Sequence, residues 1–307
     1  IRDRPMLKIL SSYFPSARIY LLVTQRNFEI FERLKNVKCI MRLNDKSLSS
    51  LFTDLINMVV TLRRIKFDIV INAEPFVFLA AALSLLSSAR LSIGFDLDKL
   101  ITLLYDVPVS ISSNEHITKR FLLLLAPLGI HTATNRLEKI YVSEEDRNYI
   151  KSFLVKERIL KNDIKIGIYL GPFTRARTRR WPVYKSISLC DKLIEKGFKV
   201  IIVGAKNELP FIRAVLKHMK NKPIVAAGKT TLTQLAALME ELDLFISPDA
   251  GPLHIACAMQ TPTLALFGPG DPKVYGPLGD KSMTLFKNLP CNPCIDAFKG
   301  KIKNCQN

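Results

Sequence analysis

The chain has 307 residues, 48% of them hydrophobic and 23% charged, a composition typical of folded globular proteins and too apolar for intrinsic disorder. Its 45 Lys and Arg against 27 Asp and Glu give a formal charge of +18, which predicts an anionic partner: nucleic acid, phosphate-bearing metabolites or a membrane surface. No apolar stretch reaches the roughly 20 residues that span a bilayer, and the six cysteines lack a secreted disulfide pattern, which favours a reducing cytoplasm.

The charge excess is concentrated in two windows. Residues 1–50 hold 10 basic and 4 acidic residues, a surplus of 6, and residues 151–200 hold 13 and 4, a surplus of 9. Two local basic surfaces therefore account for most of the excess, although the mixed charges of 151–165 also fit an ordinary solvated helix face.

Apolar runs and helical periodicities alternate through the first half of the chain, which predicts strands and helices in turn. The predicted strands are 18–23, 67–71 and 90–94, and the predicted helices are 51–62, a segment from 76, and 116–125. Ser143 begins a further helix, because Ser143 and Asp146 have the spacing of a capping box.

The second half alternates more regularly. Its predicted strands are 165–170, 199–203, 223–226, 244–247 and 262–267, and its predicted helices begin near 182, 212, 231 and 251. Parallel strands need long helical crossovers that cover both faces of a sheet. We therefore expect an α/β protein of two Rossmann-like domains facing across a cleft, an acceptor-side domain over 1–157 and a donor-binding domain over 158–307.

An arginine-rich segment, Gly171 to Pro182, lies between a predicted strand and a predicted helix. Four arginines in six positions beside a helix N-terminus suit a diphosphate. A solvated basic loop and a nucleic-acid patch remain alternatives, the latter supported among aromatic residues only by Trp181.

Glu208 follows the strand that ends in Gly204 and Ala205. A carboxylate beyond a Rossmann-like strand can accept hydrogen bonds from ribose hydroxyls. Charge compensation at a helix N-terminus explains it equally well.

The most informative segment runs from Ile246 to Ala256. A buried strand delivers Asp249 to the sheet edge, Gly251 allows close backbone approach, and the following helix points its N–H groups to the same place. His254 can reach this place or can be a buried core residue. A second Gly/Pro loop, 266–272, follows the next strand, and the two loops together favour a site here more strongly than either loop alone.

Residues Ser247 to Ala256 together with 260–272 resemble the signature of the ADP-heptose:lipopolysaccharide heptosyltransferases, glycosyltransferase family 9. The Arg179–Pro182 and Gly204–Glu208 segments resemble the family's Lys/Arg-x-Trp-Pro and Gly-x-x-x-Glu elements, and residues 5–19 resemble its first helix and second strand. The resemblance implies a GT-B fold and inverting transfer of heptose from ADP-heptose to a lipopolysaccharide inner-core acceptor.

The resemblance also implies a set of donor-binding residues. These are Thr174 and Arg179 at the phosphates, Glu208 at the ribose, Thr230 near the adenine, and Asp249, Ala250 and Gly251, supported by His254, at the diphosphate and sugar. Fixed cations and helix dipoles would neutralise the leaving diphosphate, so no metal or other cofactor is expected.

Family members place a strand and a Gly-Asp loop ahead of the first helix, and that Asp is the family's general base. The sequence begins at Ile1, and Asp3 lies too close to Pro5 to be its counterpart. We therefore expect the base upstream of Ile1, a crossover helix beyond Asn307, and a fold truncated at both ends. Without that base, catalysis by these residues alone is in question even where donor binding is retained.

Cys291 and Cys294 form a C-x2-C pair, with Cys305 eleven residues later. A structural zinc site needs four ligands, so free thiols are the expectation and metal binding is the alternative.

The resemblance implies a cytoplasmic enzyme, peripheral at a Gram-negative inner membrane. The basic surplus of residues 1–50 would face the lipid headgroups and the anionic acceptor, the lipopolysaccharide core or lipid A. The basic surplus of residues 171–180 would face the donor. One alternative is a GT-B transferase for another nucleotide-sugar. The other is a non-catalytic basic protein that binds nucleic acid or a membrane, although nucleic acid is not the expected partner.

Overall fold

A computed structural model describes the chain except for residues 26–27, 33, 35, 44–47, 75–77, 113, 173–176, 297–300 and 303–307, together with the side chains of 48–53, 177, 296 and 301–302. The described chain forms two compact units, the N-terminal unit over 2–134 and the C-terminal unit from Asn135 onward. Residues 135–157, which the sequence analysis placed in the first domain, group with the C-terminal unit because helix 144–156 packs on helix 232–241.

The described residues of the N-terminal unit form two parallel sheets. In chain order its elements are α1 (Arg4–Tyr13), β1 (Tyr20–Thr24), α2 (Phe28–Phe31), β2 (Cys39–Leu43), α3 (Leu48–Ile65), β3 (Ile69–Ile71), α4 (Phe78–Leu86), β4 (Leu91–Phe95), α5 (Lys99–Thr102), β5 (Val107–Val109) and α6 (Ile117–Leu123). One sheet has the order β1-β2 and the other β3-β4-β5.

Helices α3 and α4 bury one face together. Met58 and Leu62 of α3 and Leu83 of α4 form a buried cluster, against which Met41 of β2 and Phe67 also pack. Burying three such side chains removes enough apolar surface to fix both helices against each other. The inward faces of both helices are therefore assigned to the core.

The C-terminal unit is built on one six-stranded parallel sheet. Its elements are α7 (Glu144–Lys156), β6 (Lys165–Tyr169), α8 (Val183–Glu195), β7 (Lys199–Val203), α9 (Leu209–Leu216), β8 (Ile224–Val225), α10 (Leu232–Glu241), β9 (Leu244–Pro248), α11 (Gly251–Ala258), β10 (Thr263–Phe267), α12 (Pro272–Tyr275), β11 (Ser282–Phe286), β12 (Ile295–Asp296) and β13 (Lys301–Ile302). The sheet order is β11-β10-β9-β6-β7-β8, with β12 and β13 as a separate antiparallel pair.

The central strands of this sheet are buried, as the apolar sequence of β6 and β7 predicts. Ile166 and Ile168 of β6 and Ile202 of β7 pack against α8 and α9 in one core cluster. The predicted capping box at Ser143 is present at the start of α7, and Thr231 and Gln234 form another at the start of α10. In the described part of the chain, no helix combines the length and the apolar character needed to span a bilayer.

Candidate functional site

The carboxyl edge of the six-stranded sheet collects the loops that the sequence singled out. Strands β6, β7, β9 and β10 run parallel in adjacent register, so the loops that follow them emerge on one side. In open parallel sheets this edge is where ligands bind.

Arg179 and Asp249 meet at this edge. Nη1 of Arg179 lies 3.5 Å from Oδ2 of Asp249, with the aspartate side chain 10% exposed and the arginine side chain 31% exposed. The Nε atom of Arg179 is buried without a hydrogen-bond partner among the described atoms. The structure thus brings together one cation and one carboxylate from segments 70 residues apart, and the exposed part of the arginine side chain is accessible to a further anion.

The loop after β10 closes around the same pair. A Cβ added at Gly270 would lie 3.0 Å from Oδ2 of Asp249, and one added at Gly268 would lie 4.0 Å from the carbonyl oxygen of Thr178. A side chain at 270 would therefore fit only if the carboxylate shifted slightly. The two Gly/Pro loops therefore lie beside Thr178 and Arg179, which belong to the described end of the arginine-rich segment.

The N-terminus of α11 faces open space. Ala250 is extended, with φ of −158° and ψ of 168°, and its side chain does not cap the helix that begins at Gly251. A Cβ at Gly251 would meet nothing within 4 Å among the described atoms. Pro252 has no N–H, and the Leu253 N–H donates to the Ala250 carbonyl oxygen at 3.2 Å. The remaining N–H groups at this helix start favour an anion.

The neighbouring Arg180 has a structural role. Its guanidinium lies 4.0 Å from the centroid of the Phe211 ring, and its Nη2 donates a hydrogen bond of 2.5 Å to the Pro172 carbonyl oxygen. Gly171 has φ of +101°, and a Cβ there would lie 2.9 Å from Cγ of Arg180, so glycine is needed at this crossing. Of the two arginines, Arg179 is the one directed to the carboxylate.

Glu208 is held by two donors. The Tyr169 hydroxyl donates to Oε1 at 2.6 Å, and the Ala205 N–H donates to Oε2 at 2.8 Å. Burial and the adjacent Glu208 carboxylate raise the pKa of Tyr169, although the charge of Arg180 acts the other way. The phenol is therefore a stable donor, and the carboxylate keeps lone pairs for two hydroxyl donors, as a ribose would supply. Sequence analysis did not select Tyr169, whose only signal is a polar hydroxyl at the end of a buried strand.

The remaining predicted residues are distributed as follows. Thr230 is half-buried and directly precedes Thr231, the N-cap of α10. His254 is 5% exposed within α11, which fits both the core and the supporting interpretation. Thr174 lies outside the described residues.

The C-terminal cysteines show no metal-type arrangement within the described residues. Cys291 is exposed, and Sγ of the buried Cys294 lies 3.0 Å from the Cys291 carbonyl oxygen. Over the described chain, no three His, Cys, Asp or Glu side chains come together as a metal site would require. Cys305 lies outside the described residues.

Comparison with known proteins identifies relatives of this chain. It is 25% identical over 283 residues to lipopolysaccharide heptosyltransferase 3 of Escherichia coli, covering 87% of this chain and 79% of that protein. It is also similar to the crystal structure of a family 9 glycosyltransferase from Veillonella parvula, with a TM-score of 0.82, 26% identity, and coverage of 92% and 81%.

An E. coli heptosyltransferase solved with ADP shares the fold, with a TM-score of 0.71 at 18% identity, covering 92% of this chain and 88% of that one. The predicted GT-B type of α/β fold is confirmed by these neighbours. The family model of glycosyltransferase family 9 (heptosyltransferase) matches residues 56–302. This chain is therefore a glycosyltransferase that belongs to family 9, the heptosyltransferase family.

Proposed function

We propose that the chain transfers heptose from ADP-heptose to the inner core of lipopolysaccharide, with inversion at the anomeric carbon. The observation that carries this proposal is the meeting of Arg179, Asp249 and the uncapped start of α11 at one sheet edge. Relatives named for lipopolysaccharide heptose transfer and a structural neighbour solved with ADP support the donor and the acceptor.

In this proposal Arg179 and the N–H groups of α11 stabilise the diphosphate as it leaves. Charge grows on the leaving oxygens as the sugar–phosphate bond breaks, and fixed donors there lower the barrier because they need no reorganisation. Asp249 holds the guanidinium in place before the donor arrives. Glu208, fixed by Tyr169 and Ala205, accepts hydrogen bonds from the ribose, and Thr230 lies near the adenine.

The proposed acceptor is anchored in a lipid, so we place the enzyme in the cytoplasm, peripheral at the inner membrane. The basic surplus of residues 1–50 is suited to phosphorylated acceptors and anionic headgroups. We assign no metal or other cofactor to the transfer, since Arg179 and the helix dipole supply the positive charge.

The donor assignment is tested by replacing Arg179 with glutamine and titrating ADP by calorimetry. A hydrogen bond to a charged group contributes about 1.5–3 kcal/mol, so we expect the dissociation constant to rise roughly 10- to 100-fold. Lys192→Gln, an exposed cation in the last turn of α8, is the matched control and is expected to bind ADP normally. Equal affinity of the two variants would contradict the role of Arg179.

The nucleotide and the stereochemistry need separate measurements. Thermal unfolding with ADP, UDP and GDP should show a shift for ADP alone. Nuclear magnetic resonance of the product formed from ADP-heptose and heptose-deficient lipopolysaccharide should show the inverted anomer. A stronger shift with UDP or GDP would indicate another nucleotide-sugar.

A further inference from the structure

Helices α3 and α4 of the N-terminal unit expose large apolar side chains next to each other. Ile56 and Val60 of α3 and Phe78, Leu85 and Leu86 of α4 are between 39% and 61% exposed. These five residues are called here the α3–α4 surface. Isolated exposed apolar residues are ordinary, but a contiguous group on two adjacent helices marks an interaction site.

A groove of about 330 Å³ runs between the two helices, with Ile56, Val60 and Leu86 of the surface in its lining. The rest of the lining is also aliphatic: Leu55, Val59, Leu79, Ala82 and Leu83. Leu83 belongs to the buried cluster with Met58 and Leu62, and Leu55, Val59 and Leu79 pack against that cluster. The floor of the groove is therefore part of the core, and its exposed rim is formed by Ile56, Val60 and Leu86.

Positive charge is concentrated at one end of this surface. Arg64 follows Val60 by four residues and so lies on the same face of α3 as Ile56 and Val60. Nε of Arg63 donates a 3.0 Å hydrogen bond to the carbonyl oxygen of Leu86, which places this guanidinium at the end of α4. Lys66 is exposed directly after α3.

Acidic residues are scarce in the sequences of the same two helices. The sequence of α4 has no charged residue, and the sequence of α3 has one acid, Asp54, against Arg63 and Arg64. Asp54 lies in the first half of α3, whereas the two arginines lie in its last turn. Beyond α3, the exposed Asp68 that follows Lys66 pairs with Arg90 at 3.6 Å. The surface thus joins an uncharged apolar area to a cationic end, a combination that fits the acyl region and the phosphates of an anionic bilayer.

We propose that the α3–α4 surface docks on an anionic phospholipid bilayer. The five apolar side chains enter the acyl boundary, while Arg63, Arg64 and Lys66 contact lipid phosphates. This inference rests on the proposed function in one respect: a lipid-anchored acceptor lies at the membrane, which gives the enzyme a reason to bind there. Vesicle binding is measured without donor or acceptor, so the two proposals can fail separately.

The test is flotation of the full chain with vesicles of phosphatidylcholine and phosphatidylglycerol at about 3:1, compared with phosphatidylcholine alone. We expect binding to the anionic vesicles that weakens as salt is raised, because salt screens the cationic end. Ile56→Gln combined with Val60→Gln should lower the partition coefficient by about tenfold, since two apolar side chains no longer gain from burial.

A matched control replaces two apolar residues of the C-terminal unit, Val155→Gln with Leu160→Gln, which are 74% and 70% exposed in the wild type. This control should partition like the wild type. A second variant, Arg64→Gln with Lys66→Gln, leaves the groove intact and should lose the preference for anionic vesicles. Circular dichroism and ADP titration on the same samples report folding and the donor site.

Three results would overturn the docking proposal. They are no flotation of the wild type, equal loss in the Val155/Leu160 control, and a surface variant that changes the oligomeric state in light scattering while vesicle binding is unaffected. The last result would identify the surface as an interface between copies of this chain. Flotation without any ADP binding would instead leave docking in place and contradict the proposed donor.

Discussion

Each oxygen of the Glu208 carboxylate accepts one hydrogen bond, from the Tyr169 hydroxyl and from the Ala205 N–H. The distances of 2.6 and 2.8 Å fix the orientation of a side chain that would otherwise rotate freely about its terminal bond. Tyr169 is the last residue of the central strand β6, so the sheet holds this donor, and with it the carboxylate, in a fixed position. In the proposed donor site Tyr169 therefore acts on the ribose through Glu208, as a positioning residue.

Tyr169→Phe keeps the ring and removes the hydroxyl. We expect the dissociation constant for ADP to rise about tenfold, since a hydrogen bond to a charged group contributes at least about 1.5 kcal/mol. Affinity for 2′,3′-dideoxy-ADP, which lacks the ribose hydroxyls, should be the same in variant and wild type. Calorimetry with both nucleotides measures this split.

Tyr13→Phe, an exposed tyrosine of the N-terminal unit, is the control and should leave both affinities unchanged. Equal losses for ADP and the dideoxy nucleotide in Tyr169→Phe would show a general structural effect instead. A wild type that binds neither nucleotide would contradict the proposed donor itself.

Residue types and spacing predicted much of the candidate site, because strand ends in a parallel sheet must share one edge. They placed Arg179 and Asp249 on this edge, and the structure brings the two together. Residue types and spacing did not separate Arg179 from Arg180. The family resemblance selected Arg179, and the packing of Arg180 on Phe211 shows that the guanidinium of Arg180 is engaged elsewhere. The Tyr169 contact was missed because it depends on a side-chain orientation.

At the scale of elements, the sequence pattern did not predict five of the described strands. Three of them, β2, β5 and β11, are each the last strand on one side of a sheet, and the other two, β12 and β13, form the separate antiparallel pair. Edge strands are partly exposed, so their apolar runs are weak: β11 alternates in burial, and Pro108 interrupts β5, as edge positions permit. Central strands such as β7 were predicted with the correct bounds, Lys199–Val203.

Ion pairs at Glu240 join α10 to α7, through Arg147, and to the segment before α7, through Lys139. Arg147 Nε and Lys139 Nζ lie 2.9 and 2.8 Å from the Glu240 carboxylate oxygens. Burial alone would raise the pKa of Glu240, but the hydrogen bonds from Arg147 and Lys139 outweigh it and leave the pKa below its ordinary value of 4.5. The pairs therefore stabilise the fold above that value, and this contribution is lost as the pH falls through the lowered pKa.

Glu240→Gln should lower the free energy of unfolding by about 1 kcal/mol at neutral pH. The difference from the wild type should shrink as the pH falls through the lowered pKa of Glu240, because the carboxylate of the wild type becomes protonated there. Urea unfolding over a series of pH values from neutral downward measures both effects. Glu195→Gln, an exposed residue of α8, is the control, and a loss that persists unchanged at low pH would contradict the ion-pair explanation.

At the scale of the whole molecule, the sequence predicted two α/β domains but not where the chain divides. The Lys-rich stretch near 155–163 has the composition of a linker, whereas α7, which precedes it, packs on α10 within the C-terminal unit. The Arg147–Glu240 pair joins residues 93 positions apart. Contacts of such long range leave no local signal in the sequence.

Hydrogen exchange measured over the whole chain should show which backbone amides ADP protects. We expect slower exchange in the loops 204–208, 249–251 and 268–270, because a ligand that binds only the folded state suppresses local opening. Mass spectrometry of peptides with and without ADP measures this. Protection confined to other segments would contradict the proposed location of the donor.

The unequal space at two glycines of the candidate site sets the direction in which it can be re-engineered. Position 251 opens outward with no described atom within 4 Å of an added Cβ, while position 270 is closed by the Asp249 carboxylate at 3.0 Å. The open space at 251 is the space proposed for the donor, so libraries that aim to broaden sugar preference should vary 251 only with small side chains and should keep glycine at 270.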